Sequence, residues 1–348
     1  GVSITNATNS CVDLPDYATL TWNTGSLTNC NQGSSSSNGA IMTGHGSSIT
    51  LDEISITDSA HNAIAGSAKT LWAHNVSIDT AGLTSSQLSG SAWGQTYSSS
   101  GSSIYLENIG GGGYATGIRT YAQDSVDIIG GFDGGSISII PRGTSSSAMG
   151  ASGYNLDDIT STGDVYLERT TPKTIHNLNA DGYLKLAGTA ASGDQISAKW
   201  LTADGITIAG CGWSMRAEGV ALGDTSAGGW ATASCTSNSA RSELTVMDGT
   251  LETNSASSNI FYARNARVTL ADLTVTGQTT NNAYLARSST NGEVRLIGVN
   301  WRGNDCADAG GWTGQTTCWI DVTTSSGKIY VGGTGQLAAY RMIDVQGN

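Results

Sequence analysis

Ile49–Ile56 reads ITLDEISI, an eight-residue pattern of the form apolar-x-apolar-x-x-apolar-x-apolar. Five further stretches repeat it: Leu71–Ile78 (LWAHNVSI), Leu201–Ile208 (LTADGITI), Leu244–Leu251 (LTVMDGTL), Val268–Val275 (VTLADLTV) and Val294–Trp301 (VRLIGVNW). The third apolar slot is loose, with Gly249 filling it in one copy. Neighbouring copies start 22 (Ile49 to Leu71), 24 (Leu244 to Val268) and 26 (Val268 to Val294) residues apart. Within each half, apolar and polar residues alternate, which is the period of a strand buried on one face. The two residues between the halves break the alternation, so the chain turns a corner and begins a second inward-facing strand. A unit of this size cannot bury its apolar face alone and must stack on its neighbours.

Segments outside the motif supply a third wall. Asn259–Arg264 (NIFYAR) and Asn282–Arg287 (NAYLAR) resemble each other and each precedes a motif copy; Trp319–Val322 and Met342–Val345 read as later versions. Weaker rungs stand at Ile104/Leu106, Val126/Ile128, Val165/Leu167 and Leu184/Leu186. The expected fold is all-β: a single-stranded right-handed parallel β-helix of roughly a dozen coils with loop insertions. A β-sandwich would need recurrent hairpin turns, and three prolines with few Asn-Gly or Asp-Gly turns between strands do not provide them. Gly- and Ser-rich stretches at 34–38, 85–103, 110–113 and 145–153 read as loops on the solenoid and not as linkers, so residues 1–348 are expected to form one continuous domain. The chain opens and closes partway through a motif and lacks an initiator Met, which suggests a segment of a longer protein or assembly, with β-helix ends that pair with a second copy or a neighbouring domain.

Charged residues are only 13% of the chain, so Ser, Thr, Asn and Gly must carry solubility. Sixteen Lys and Arg stand against 28 Asp and Glu, a net charge of −12. This disfavours nucleic acid, since no basic stripe is present to displace counterions. No apolar run reaches the length of a membrane span, so membrane insertion is not expected.

The six cysteines fall in three sequence-near pairs, Cys11/Cys30, Cys211/Cys235 and Cys306/Cys318, and no CxxC pair occurs. Cys11 follows Val2-Ser-Ile4, Cys211 follows Ile206-Thr-Ile208 and Cys306 follows Val299-Asn-Trp301. Read in phase with the motif, three loops leave one corner and each is closed by a second cysteine. Six cysteines allow 15 connectivities; proximity and repeat phase favour 11–30, 211–235 and 306–318. Disulfides imply an oxidising, extracellular or cell-surface setting. Sequons at Asn6-Ala-Thr8 and Asn75-Val-Ser77 are consistent with it.

The three-walled pattern, local disulfides and Gly/Asn-rich corners resemble the pectin-lyase-like superfamily of right-handed parallel β-helices. That resemblance covers nearly the whole chain and implies the fold; the superfamily spans polysaccharide lyases, hydrolases, phage spikes and adhesins, so it does not choose a function. Gly44-His45-Gly46 is similar to the Gly-His-Gly element of polygalacturonases. The carboxylates that family sets upstream are missing here, because the Asp-Asp pair, Asp157-Asp158, lies far downstream. Lyase chemistry would need acids and a cationic base on one wall. Asp124 and Asp127 flank Val126 and are weak candidates with Arg119, alongside Asp133, Asp157, Asp158 and Arg142. The four histidines are scattered, and neither a metal nor another cofactor is implied.

Each stapled loop carries tryptophan: Trp22, then Trp213 and Trp230, then Trp312. Loops leaving one corner would set these rings on one side, where flat faces stack on sugars or anchor a partner. The expectation is therefore an extracellular structural or adhesive β-helix segment of a cell-surface or filament-like protein, with that loop face as contact surface. The alternatives are a secreted carbohydrate-active enzyme and a phage receptor-binding spike.

Overall fold

The computed structural model describes residues 1–33, 38–95, 103–120, 125–139, 154–168, 172–188, 195–224, 231–236, 240–253, 259–277, 284–301, 319–322, 327–332 and 344–345. Every strand pairing among them is parallel, in two sheets, and no helix occurs in these residues. The result is a parallel β-helix. Contacts divide it into two compact units: Gly1–Thr174 with Asn179–Asp181, and Ile175–Leu178 with Gly182–Asn348.

In the first unit each coil is one long strand bent at a corner, followed by a short strand. Ser48–Thr57 contains a full motif copy, with Ile49, Leu51, Ile54 and Ile56 all buried. The bend falls on Glu53, at φ 51°. The next coil, Thr70–Asp79, lies beside it with Ile49 opposite Leu71 and Leu51 opposite Ala73. The column continues through Leu106, Ile128 and Leu156. Each such aliphatic side chain contributes about 1.5–3 kcal/mol by leaving water. The third wall is the second sheet, where Ile41–Thr43 and Ile64–Gly66 pair in register.

The left-handed corner recurs in coil after coil. In the first unit it falls on Thr24, Glu53, Asn75, Asn108 and Asp158, with Gly130 and Gly131 serving one coil. In the second unit it falls on Asn177, Trp200, Gly219, Asp248, Asp272 and Gly298. Asn, Asp and Gly dominate because they tolerate positive φ best. These residues fill the second x of the motif's central x-x pair, so the broken alternation marks a bend in the backbone. Where two asparagines follow each other they bond along the stack, Asn108 Nδ2 donating to Asn75 Oδ1 at 2.6 Å.

In the second unit Leu244, Val246 and Leu251 stand opposite Val268, Leu270 and Val275. Asn259–Arg264 and Tyr284–Ser289 pair on the third wall, two residues out of the register that the likeness of NIFYAR to NAYLAR implies, and Trp319–Val322 and Asp344–Val345 follow them. One motif copy is corrected. Leu201-Thr-Ala203 pairs with Val220–Leu222 on the second wall, whereas Gly205–Ala209 belongs to the third wall and pairs with Ala231–Ser234. The true first half of that coil is Ile196 and Ala198, and its corner is Trp200. The misreading arises because all three walls alternate with the same period, so an Asp-Gly corner between second and third walls looks like the bend inside the motif. Likewise Ile104/Leu106 and Val126/Ile128 are first-wall rungs, but Val165/Leu167 and Leu184/Leu186 are third-wall rungs.

Two disulfides form, Cys11–Cys30 and Cys211–Cys235. They do not share a corner. Cys30 follows a second-wall segment and Cys11 precedes the third-wall strand Val12–Leu14. Cys211 and Cys235 both follow third-wall strands, Gly205–Ala209 and Ala231–Ser234. The common loop face expected from the sequence depended on the misphased copy at 201–208 and falls with it. Cys306, Cys318, Trp230 and Trp312 lie outside the described residues.

Candidate binding surface

Motif slots two and four point outward, so residues distant in sequence form columns on the outer face of the first wall. One column runs Thr21, Thr50, Trp72, Tyr105, Asp127, Asn155; the next runs Asn23, Asp52, His74, Glu107, Ile129. Trp72 and Tyr105, on adjacent coils, stack with ring centroids 6.1 Å apart and an interplanar angle of 2°. The ring face of Trp72 turned away from Tyr105 looks along the stack over the short side chain of Thr50. Below the stack comes Asp127, which accepts a hydrogen bond from Asn155 Nδ2 at 2.8 Å.

Polar groups rim the stack. His74 Nδ1 lies 2.8 Å from Asp52 Oδ1 and the imidazole is 5.8 Å from the Trp72 ring. Tyr105 Oη donates to Glu107 Oε2 at 2.8 Å. That bond, with partial burial and the negative charges of Glu107 and Asp127, raises the phenol's pKa, so Tyr105 stays a donor. A carboxylate has about four acceptor sites; each of these three uses one or so on a protein donor, leaving capacity for ligand hydroxyls. The surface thus offers an aromatic stack with hydrogen-bond acceptors around it, the combination that holds a sugar ring.

The residues singled out in the sequence fare differently. Asp127 belongs to this surface. Arg119 does not join it: its strand is on the third wall, paired with Gly94 and Ser138. The grouping of Asp127 with Arg119 is therefore corrected, because residues close in sequence occupy different walls of one coil. Asp124 and Arg142 lie outside the described residues; Asp133 is exposed on the second wall, and Asp158 is a corner residue.

His45 is exposed in the turn between third and first walls. Its backbone N–H donates to Asp16 Oδ1 at 2.7 Å, and its ring makes an edge contact with Tyr17 at 5.8 Å. A Cβ on Gly44 would come within 2.4 Å of the Pro15 carbonyl carbon, and Gly46 has φ +70°. Close packing of adjacent corners therefore accounts for both glycines.

Trp22 and Trp213 are corrected as contact residues, because both side chains fill inward slots of the core. Trp22 is 8% exposed and lies against Gly25. Trp213 is fully buried, its indole N–H donating to Gly188 O at 2.9 Å. Of the sequons, Asn6 is exposed, with Oδ1 accepting from Asn29 at 3.0 Å. Asn75 Nδ2 lies 3.2 Å from His74 Nδ1, so a glycan there would displace that contact.

Trp72, Tyr105, His74, Asp52 and Glu107 were not recognised from the sequence as a group. The signal was present: they occupy the x slots of ITLDEISI, LWAHNVSI and IYLENIGG once these are aligned by coil. Comparison with protein-family models, curated proteins and solved structures finds no match to the chain.

Proposed function

We propose that this chain is an extracellular adhesive or structural β-helix whose contact surface is the outer face of the first wall around Trp72 and Tyr105. The observation that carries the reading is the stacked aromatic pair rimmed by Asp52, His74, Glu107 and Asp127. Two disulfides support an oxidising compartment. The likeness of repeat pattern to the pectin-lyase-like superfamily supports a role among polysaccharides without selecting an activity.

The test is adhesion of the labelled protein to polysaccharide-rich cell-surface preparations. Trp72→Ala is expected to reduce retention about tenfold while leaving the melting temperature within a few degrees. Equal retention of wild type and variant would refute this contact surface.

A second reading, a polysaccharide-degrading enzyme, is favoured by one contact. His74 held by Asp52 at 2.8 Å is an imidazole oriented by a carboxylate, the arrangement of a general base. Release of reducing or unsaturated ends from a polysaccharide, abolished by His74→Ala, would establish it.

A further inference from the structure

Trp200 stands apart from every other corner residue of the second unit. It has φ 57°, and its side chain is 63% exposed. The same slot in neighbouring coils holds Asn177, Gly219, Asp248, Asp272 and Gly298, the types that accept a left-handed backbone. For a bulky residue this conformation is a genuine outlier. Strain of this kind persists where the surroundings impose it, and it gathers at ligand-holding sites.

Core packing does not explain the residue, since most of the indole stays in water. What it touches is the backbone of the next coil's corner. A Cβ built on Gly219 would fall 2.7 Å from Trp200 Cε3 and 2.9 Å from Cζ3, so the six-membered ring can lie there only because that corner is glycine. One exception, a Trp at a corner where Asn or Asp would be less strained, and a Gly at the next corner that leaves room for it, set one aromatic ring on the ridge of the coils.

We propose that the Trp200 indole, seated on Gly219, is a stacking platform for a pyranose ring of an uncharged polysaccharide, a binding site separate from the Trp72 surface. The flanking residues define the ligand. On the first-wall side Lys199 stands opposite Glu218, which pairs loosely with Arg216 at 3.9 Å. On the second-wall side Thr202, Ala221 and Thr250 point outward in register. Along the ridge follow the exposed carboxylates Asp248 and Asp272.

Hydroxyls and carboxylates beside an aromatic face suit the hydroxyls of a neutral sugar. Three acids, Glu218, Asp248 and Asp272, stand against two cations, Lys199 and Arg216, so the local balance is net negative and disfavours a uronate. A protein partner fits less well, because a stable interface buries at least about 1,200 Å² and the described residues flanking this ring are mainly hydroxyl-bearing or charged.

The experiment measures binding of the full chain to a neutral mannan, a neutral β-glucan and polygalacturonate, together with thermal melting, for wild type, Trp200→Asn and Trp72→Ala. The inference expects Trp200→Asn to weaken binding to a neutral polysaccharide about tenfold. It also expects this variant to melt at a higher temperature, because asparagine is at home in the left-handed corner. A purely structural tryptophan would give the reverse, a lower melting point with binding unchanged, and would overturn the inference. So would wild-type binding to polygalacturonate alone, or to none of the three. Loss of adhesion in Trp72→Ala with no effect of Trp200→Asn would overturn this site and leave the adhesive reading standing.

Discussion

Glu293 offers the sharpest test of how the second unit is held together. Its side chain is 8% exposed and meets three arginines: Arg241 Nη2 at 3.3 Å, Arg267 Nε at 3.2 Å, and the Nε of Arg295. Arg267 also reaches Glu243 at 2.8 Å. The columns explain the convergence, since Glu243, Arg267, Glu293 and Lys328 stand opposite one another on successive coils, alternating in sign. Breaking a buried pair by removing one partner costs about 3–5 kcal/mol, whereas an exposed pair contributes about 0–1 kcal/mol. The arginines are 31–41% exposed, so water screens them and the cost falls between these two ranges.

Glu293→Gln is therefore expected to lower stability by about 2 kcal/mol at pH 7, read as a shifted midpoint in urea, which adds no ions. The loss must depend on pH. Burial alone pushes the Glu293 pKa up, but hydrogen bonds from Arg295 and Arg267 and their charges outweigh it, and the net shift is downward. A carboxyl whose folded pKa is depressed stabilises the fold above its unfolded pKa of about 4.3 and loses that contribution as pH falls through the folded value. The difference between wild type and variant should hold from pH 7 to about pH 5 and shrink below it. A variant as stable as wild type at pH 7, or a difference that persists unchanged in acid, would refute the reasoning.

Other expectations follow from the corners and staples. Asn75→Ala should cost about 1–2 kcal/mol, because alanine tolerates the left-handed corner poorly and the bond from Asn108 is lost; Glu53→Asn should gain roughly 1 kcal/mol at the equivalent slot, both measured by chemical denaturation. Replacing Cys211 and Cys235 with alanine should destabilise the fold by about 3 kcal/mol, seen as a lower melting temperature insensitive to added reductant at that bond. His45→Ala should leave stability within about 0.5 kcal/mol, whereas Gly44→Ala should cost upward of about 1 kcal/mol by forcing apart the adjacent Pro15 corner; comparable effects of the two would show that the histidine and not the glycine holds this turn.

The fold was legible in the sequence because apolar residues placed every second position, with one break per repeat, leave little choice but stacked coils. The pairing of Ile49 with Leu71 could be written down from the repeat alone, whereas Phe261 stands opposite Ala286 and not opposite Tyr284, as aligning NIFYAR with NAYLAR implies. Phase was not legible everywhere. Walls of equal period differ only at their corners, and without coordinates the Asp204-Gly205 corner passes for the bend inside a motif. That error concealed Trp200 and created an apparent shared origin for the disulfide loops. Trp22 and Trp213 failed as contact residues for a related reason: sequence marks a Trp as large and apolar but does not say which side of the wall it faces.

Composition, the alternating pattern and the local pairing of cysteines thus determined a parallel β-helix with Cys11–Cys30 and Cys211–Cys235 closed. Which residues meet on the outside was decided only by the tertiary structure. Trp72 and Tyr105 are 33 residues apart in the chain, and Arg241 and Glu293 are 52 apart. Each pair becomes adjacent only when loops of unequal length are taken out and the coils are brought into register, and that register is set by backbone hydrogen bonds between neighbouring strands.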